Sequence, residues 1–159
     1  ISASGKTPYV ISALKEAKIS GAKCWLLTCN DIEYDFLDGV IKVIVGPEII
    51  AGSTRLKAGT ATKMVLNMIS TTTMIKMGKV YDGYMIDVVP SNKKLVDRAI
   101  RIIKDITGCG DEEAIEYLHK SNGNAKTAIL MYKRDLTFDE AKNVLERSNG
   151  SLRNALCEG

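Results

Sequence analysis

Near the start of the chain, Ser2-Ala3-Ser4-Gly5-Lys6-Thr7-Pro8 gathers three hydroxyl side chains around one glycine, immediately before a helical pattern. A phosphoryl group needs several hydrogen-bond donors converging on its oxygens and no bulky side chain in the way. Hydroxyls at Ser2, Ser4 and Thr7, close backbone approach at Gly5 and the amides of a helix N-terminus supply that arrangement, and the helix dipole favours the anion. The plainer alternative is a Ser/Thr-capped helix with no ligand. A second polar stretch, Gly46 to Thr60, opens the longest helical pattern just after an apolar run. There Ser53 or Thr54 is placed to cap a helix, and Glu48, Arg55 and Lys57 offer charges to hydroxyls or an anion. Its position after a strand is where open α/β sheets bind ligands. By itself, that stretch reads first as a solvated helix start whose charges face water; beside the first loop, the ligand reading gains ground.

The elements that must position these loops follow from hydrophobic spacing. Pro8 suits a first helical turn, Val10, Leu14 and Ala17 recur at helical intervals, and Ser20-Gly21 ends the element. Cys24 to Cys29 is a short apolar run expected as a strand covered on both faces, and Val40 to Val45 a second strand stopped by Gly46-Pro47. The spacing predicts a long helix from Thr54 to about Met77, with an apolar stripe wide enough for a buried or subunit-packing helix. A strand over Tyr84–Val89 and an amphipathic helix over Lys94–Lys104 come next. The order of elements predicts a parallel α/β sheet.

After Thr107-Gly108-Cys109-Gly110 the sequence repeats itself with a period of 27. Glu113-Ala114, Leu118, Ser121-Asn122-Gly123, Lys126 and Ala128 return as Glu140-Ala141, Leu145, Ser148-Asn149-Gly150, Arg153 and Ala155. Each copy reads as a helix closed by Asn-Gly and followed by a second helical segment. The expected domains are therefore residues 1–108, an α/β segment, and residues 109–159, a small all-helical tail.

Composition narrows the function. Of 159 residues, 45% are hydrophobic and 26% charged, as in ordinary globular proteins. The net charge is +3, and seven of the 22 basic but nine of the 19 acidic residues fall in 111–159, so the positive surplus lies upstream. Few aromatics and no basic cluster interleaved with them argue against a nucleic-acid partner. No apolar run is long enough to predict a membrane span. Cys24, Cys29, Cys109 and Cys157 form no C-x-x-C pair, and His119 is the single histidine, so no metal site is expected. Cys24 and Cys29 read as buried thiols of a reducing cytoplasm. The chain begins at Ile1 rather than Met, which leads us to expect a longer protein with further sequence upstream.

The two loops carry a family resemblance. Ser2 to Val10 resembles the second phosphate-loop motif of sugar isomerase (SIS) domains. Gly46 to Thr60, continued by Lys63-Met64-Val65-Leu66-Asn67-Met68 and Gly78-Lys79-Val80-Tyr81, is similar to the signature of N-acetylmuramic acid 6-phosphate etherases. The resemblance implies the C-terminal half of a SIS domain over 1–108 and a ubiquitin-associated (UBA)-like helical tail over 109–159. It implies a lyase that removes the D-lactyl ether from N-acetylmuramic acid 6-phosphate, giving N-acetylglucosamine 6-phosphate and D-lactate in cell-wall sugar recycling. The implied reaction uses no metal or redox cofactor. Catalytic glutamates are expected outside this segment, which leaves the segment alone inactive. The implied phosphate ligands are Ser2, Ser4, Gly5 and Thr7, and the implied sugar contacts Glu48, Ser53, Thr54 and Lys57. Lys6 stands where many relatives have Arg. A cytoplasmic homodimer is implied as well. A non-catalytic regulator of the glucokinase-regulator type is the competing reading, and an aldose–ketose isomerase a third.

Overall fold

The computed structural model describes residues 1–157. Its elements in chain order are α1 (Pro8–Ile19), β1 (Trp25–Thr28), β2 (Gly39–Lys42), α2 (Lys57–Lys76), β3 (Val80–Tyr81), β4 (Tyr84–Met85), α3 (Lys93–Thr107), α4 (Asp111–Lys120), α5 (Ala125–Arg134), α6 (Phe138–Arg147) and α7 (Leu152–Cys157). The described residues thus form an α/β chain that divides into two compact units, Ile1–Ser70 and the residues from Thr71 on.

In the first unit β1 and β2 pair in parallel, with Leu26 opposite Val40 and Leu27 opposite Ile41. On the other side of β1 the first residues run alongside it: the Ser2 amide donates to the Leu27 carbonyl and the Cys29 amide to the Ala3 carbonyl. These two bonds tie the opening residues to that edge of β1 without adding a strand, so the sheet has two strands, β1 and β2. Leu26, Leu27, Cys24, Cys29 and Ala58 form its buried apolar set.

Two expectations need correcting here. The 24–29 run is not covered throughout, since Trp25 is exposed, its ring lying so close over Gly39 that a Cβ there would sit 2.4 Å from it. The long helix starts at Lys57 rather than Thr54, and of its twenty residues only Ala58 is buried. Met64, Leu66, Met68, Ile69, Ile75 and Met77 are exposed. A stripe that wide needs a partner surface, and the chain described here leaves it open.

After the last residues of α2, the second unit forms a β-hairpin rather than another strand of the parallel sheet. β3 and β4 are antiparallel, joined by Asp82 and Gly83, both at positive φ (48° and 79°). Two consecutive left-handed residues match the right-handed twist of a tight hairpin, and Asp-Gly is its ordinary sequence signal. The strand expected over Tyr84–Val89 is thus only two residues long, because Tyr84 pairs backwards with Tyr81 and Ile86 goes into a helical core.

That core is built by α3 to α7. α5 lies at its centre, touching α3, α4, α6 and α7, and its residues Ala125 to Met131 are all buried. The 27-residue repeat is visible atom by atom. Asn122-Gly123 and Asn149-Gly150 are both left-handed pairs, and the Gly123 and Gly150 amides donate to the Leu118 and Leu145 carbonyls, closing α4 and α6 in the same way. α6 is opened by a reciprocal cap between Thr137 and Glu140. One repeated pair has diverged. Lys126, 8% exposed, donates its ammonium to the Gly150 carbonyl at 2.8 Å, and burial pushes its pKa below the ordinary lysine value; its counterpart Arg153 lies over the Tyr81 ring. α3, upstream of the repeat, buries Ala99, Ile102, Ile103 and Ile106 in this same core. His119 is exposed, while Tyr117 and Tyr132 meet edge to face at 5.3 Å.

Candidate functional site

The Ser2–Thr7 turn lies beside the C-terminal end of β1, tied to it through Leu27 and Cys29, and leads into α1. The Ser2 hydroxyl lies 2.8 Å from the Thr7 hydroxyl and 3.4 Å from that of Ser4. It also accepts from the Gly5 amide at 3.1 Å, while the Lys6 amide donates to the Ser4 hydroxyl at 3.2 Å. The sequence-derived phosphate ligands Ser2, Ser4, Gly5 and Thr7 are therefore one cluster. Among the described residues the Ser4 amide has no acceptor, and neither do the first-turn amides of Tyr9 and Val10, as helix geometry requires. A tetrahedral anion seated here would be met by hydroxyls and by outward N–H groups.

Gly5 has φ 70°, and an added Cβ would stand 2.9 Å from the Thr28 hydroxyl and 3.1 Å from Ile32 Cδ1. Glycine is required twice, for conformation and for space. Beneath the turn are donors that sequence reading missed. The Ala3 carbonyl accepts from the Asn30 side chain at 2.9 Å and the Thr28 hydroxyl at 3.3 Å, besides the Cys29 amide. The Gly5 carbonyl accepts from the Tyr34 hydroxyl at 3.0 Å. Only the position of Asn30 directly after an apolar strand hinted at such a role.

The second loop has a different organisation from the expected one. Neither Ser53 nor Thr54 caps α2. The cap is Glu48, whose carboxylate accepts from the Lys57 amide at 2.9 Å and the Ala58 amide at 3.0 Å. Lys57 turns its ammonium to the Pro47 carbonyl at 2.8 Å. Glu48 and Lys57 are thus brought together, and Ser53 and Thr54 lie in the turn between them, the Ser53 carbonyl accepting from Leu56 and that of Thr54 from Gly59. The two loops meet the same residue of β1's extension. Cys29 donates its amide to Ala3 of the first loop, and its thiol lies 3.9 Å from the Ala58 carbonyl of the first α2 turn. Among the described residues no three His, Cys, Asp or Glu side chains are grouped as for a metal ion.

The two α2 amides, with the Lys57 charge, hold the Glu48 carboxyl below its ordinary pKa of 4.5. A lowered folded pKa means the cap contributes its full stability above pH 4.5 and loses it as pH falls through the folded value. In an NMR titration Glu48 is expected to titrate below its ordinary value of 4.5, with loss of amide protection at Lys57 and Ala58 tracking it. Glu48→Gln should remove that pH dependence. A Glu48 midpoint at the ordinary value would contradict the cap.

The architecture of turn and sheet defines a class, an open parallel α/β segment with a hydroxyl-rich turn at a helix start, joined in sequence to a helical unit. Residues 82–127 match a known domain family, the C-terminal lid domain of glucokinase regulatory protein. Over nearly its whole length the chain is similar to N-acetylmuramic acid 6-phosphate etherases. It is 54% identical to N-acetylmuramic acid 6-phosphate etherase 1 of Bacillus licheniformis, across 98% of this chain and 52% of that protein. For the etherases of Geobacillus thermodenitrificans and Mycolicibacterium smegmatis the identities are 49% and 45%, across 98% and 100% of this chain and 54% of each relative. The resemblance to these etherases read from the loops is borne out, and the chain spans about half the length of the curated relatives it matches.

Proposed function

We propose that this chain is the C-terminal half of an N-acetylmuramic acid 6-phosphate etherase, and that the Ser2–Thr7 turn holds the 6-phosphate of its substrate. The observation that carries the reading is the joined cluster of the Ser2, Ser4 and Thr7 hydroxyls at the start of α1, with an unclaimed Ser4 amide beside it. In this reading residues 1–108 belong to a SIS-type domain and 109–159 to a UBA-like tail, with α3 contributing its apolar face to the tail's core. Glu48, Ser53, Thr54 and Lys57 shape the sugar side of the pocket, Glu48 by fixing the start of α2.

The reaction releases D-lactate and leaves N-acetylglucosamine 6-phosphate. It requires a base to take a proton next to the sugar carbonyl and an acid to protonate the departing lactyl oxygen as its bond to the sugar breaks, after which water adds across the double bond so formed. Both groups are supplied by the half of the protein outside this chain, since Glu48 is committed as a helix cap. The open apolar faces of α1, α2 and Trp25 fit the same reading: they are covered by that other half and by a second copy in a cytoplasmic homodimer. No helix among the described residues is long and apolar enough to cross a membrane. The regulator reading has a match to 82–127 behind it, whereas similarity to etherases covers nearly every residue, loops included.

The test is the release of D-lactate from N-acetylmuramic acid 6-phosphate. The full-length protein is expected to turn over, and the 159-residue chain alone to release none. Turnover by the chain alone would overturn the placement of acid and base; no lactate from the full-length protein would overturn the etherase reading.

A further inference from the structure

Two side chains under the anion turn are placed to control which way its amides point. The peptide groups are all trans, and in a trans peptide the carbonyl and the N–H that follows it point in opposite directions. Fixing one therefore aims the other. The Ala3 carbonyl accepts from the Asn30 side-chain Nδ2, the Thr28 hydroxyl and the Cys29 backbone amide, which turns the Ser4 N–H away from the sheet, where it has no acceptor among the described residues. The Gly5 carbonyl is tied to the Tyr34 hydroxyl at 3.0 Å, which turns the Lys6 N–H to the opposite side, toward the Ser4 hydroxyl. These bonds reach 27 and 29 residues along the chain.

We infer that Asn30 and Tyr34 are positioning residues of the phosphate site: they clamp the Ala3 and Gly5 carbonyls so that the Ser4 and Lys6 amides face the phosphoryl oxygens. The inference rests on the proposed phosphate role of the turn. Clamping removes two partial negative charges from the anion's side and presets two donors, so that binding does not have to reorient the backbone. Asn30 is exposed and Tyr34 half-buried, and neither belongs to the buried core. Tyr34→Phe keeps the ring and deletes only the hydroxyl.

The experiment uses the full-length protein and titrates N-acetylglucosamine 6-phosphate and unphosphorylated N-acetylglucosamine into the unsubstituted form, Ser4→Ala, Tyr34→Phe and Asn30→Ala. Backbone amide NMR signals of Ser4 and Lys6 are followed in parallel. For each clamp variant we expect a loss of affinity for the phosphorylated sugar of about three- to tenfold, the range of one hydrogen bond. Binding of the unphosphorylated sugar should not change, and the ligand-induced downfield shift of the Lys6 amide should shrink in Tyr34→Phe and that of Ser4 in Asn30→Ala. If Ser4→Ala weakens phosphate-dependent binding and both clamp variants do not, the inference fails and the phosphate site stands. Equal weakening toward both sugars also overturns it, because the effect is then not on phosphate recognition. If Ser4→Ala itself binds both sugars normally, the phosphate reading falls and this inference with it.

Discussion

Gly5→Ala is expected to lower the affinity of the full-length protein for a sugar 6-phosphate by about a hundredfold, equivalent to losing two charge-assisted hydrogen bonds of about 1.5 kcal/mol each. The left-handed conformation at φ 70° costs a residue with a Cβ roughly 1–2 kcal/mol. Space is the larger obstacle. The new methyl would stand 2.9 Å from the Thr28 hydroxyl, and Thr28 is 1% exposed, holding the Ala3 carbonyl and accepting from the Asn30 amide. Thr28 cannot withdraw without breaking the bonds that shape the turn, so the turn itself must move and take the Ser4 and Lys6 amides with it. The sheet should survive, because the pairing of β1 with β2 does not involve residue 5. Calorimetric titration with N-acetylglucosamine 6-phosphate, alongside circular dichroism of the variant, checks both parts. Unaltered binding by a folded Gly5→Ala protein would remove the turn from the site.

The second large effect lies in the helical core. Ile129→Ala is expected to destabilise the second unit by about 2–5 kcal/mol, as deletion of a fully buried aliphatic group does when neighbours cannot close the space. Ile129 is 0% exposed in the middle of α5, the helix that meets four others. Its neighbours Ala125, Ala128, Leu130 and Met131 are buried too, so no solvent-facing side chain can swing inward to fill the void. Ile115→Ala in α4 is the control, since Ile115 is 52% exposed and should change stability by no more than about 0.5 kcal/mol. Urea unfolding followed by far-ultraviolet circular dichroism separates the two: the midpoint should fall for Ile129→Ala with its slope unchanged. Equal midpoints would mean that α5 is not the centre of the core.

Binding and packing divide between the units in a way that bears on the proposal. The first unit holds the Ser2–Thr7 turn on a sheet with little core of its own, and α1 buries no residue at all. The second has a complete helical core and sequence features that recur within it. The open apolar faces of α1 and α2 fit the proposal that further sequence covers them.

What the amino-acid order determined by itself was everything signalled within a few residues. The hydroxyl-glycine turn, Pro8 at the start of α1, the two Asn-Gly helix ends and the 27-residue repeat are all present as read, because left-handed glycines, caps and helical periodicity are local. The parallel pairing of β1 with β2 was legible from two short apolar runs with a loop between them. Asp82-Gly83 was equally local and announced the hairpin, but the apolar run after it was given to the parallel sheet. Only the tertiary structure decided that Glu48 rather than Ser53 or Thr54 caps α2, that Asn30 and Tyr34 hold the Ser2–Thr7 turn from beneath, and that α3 packs with the helices after it. Each of those depends on groups nine to some thirty residues apart meeting in space. Such meetings are set by strand register and by how the chain returns past β1, and no spacing along the sequence encodes them.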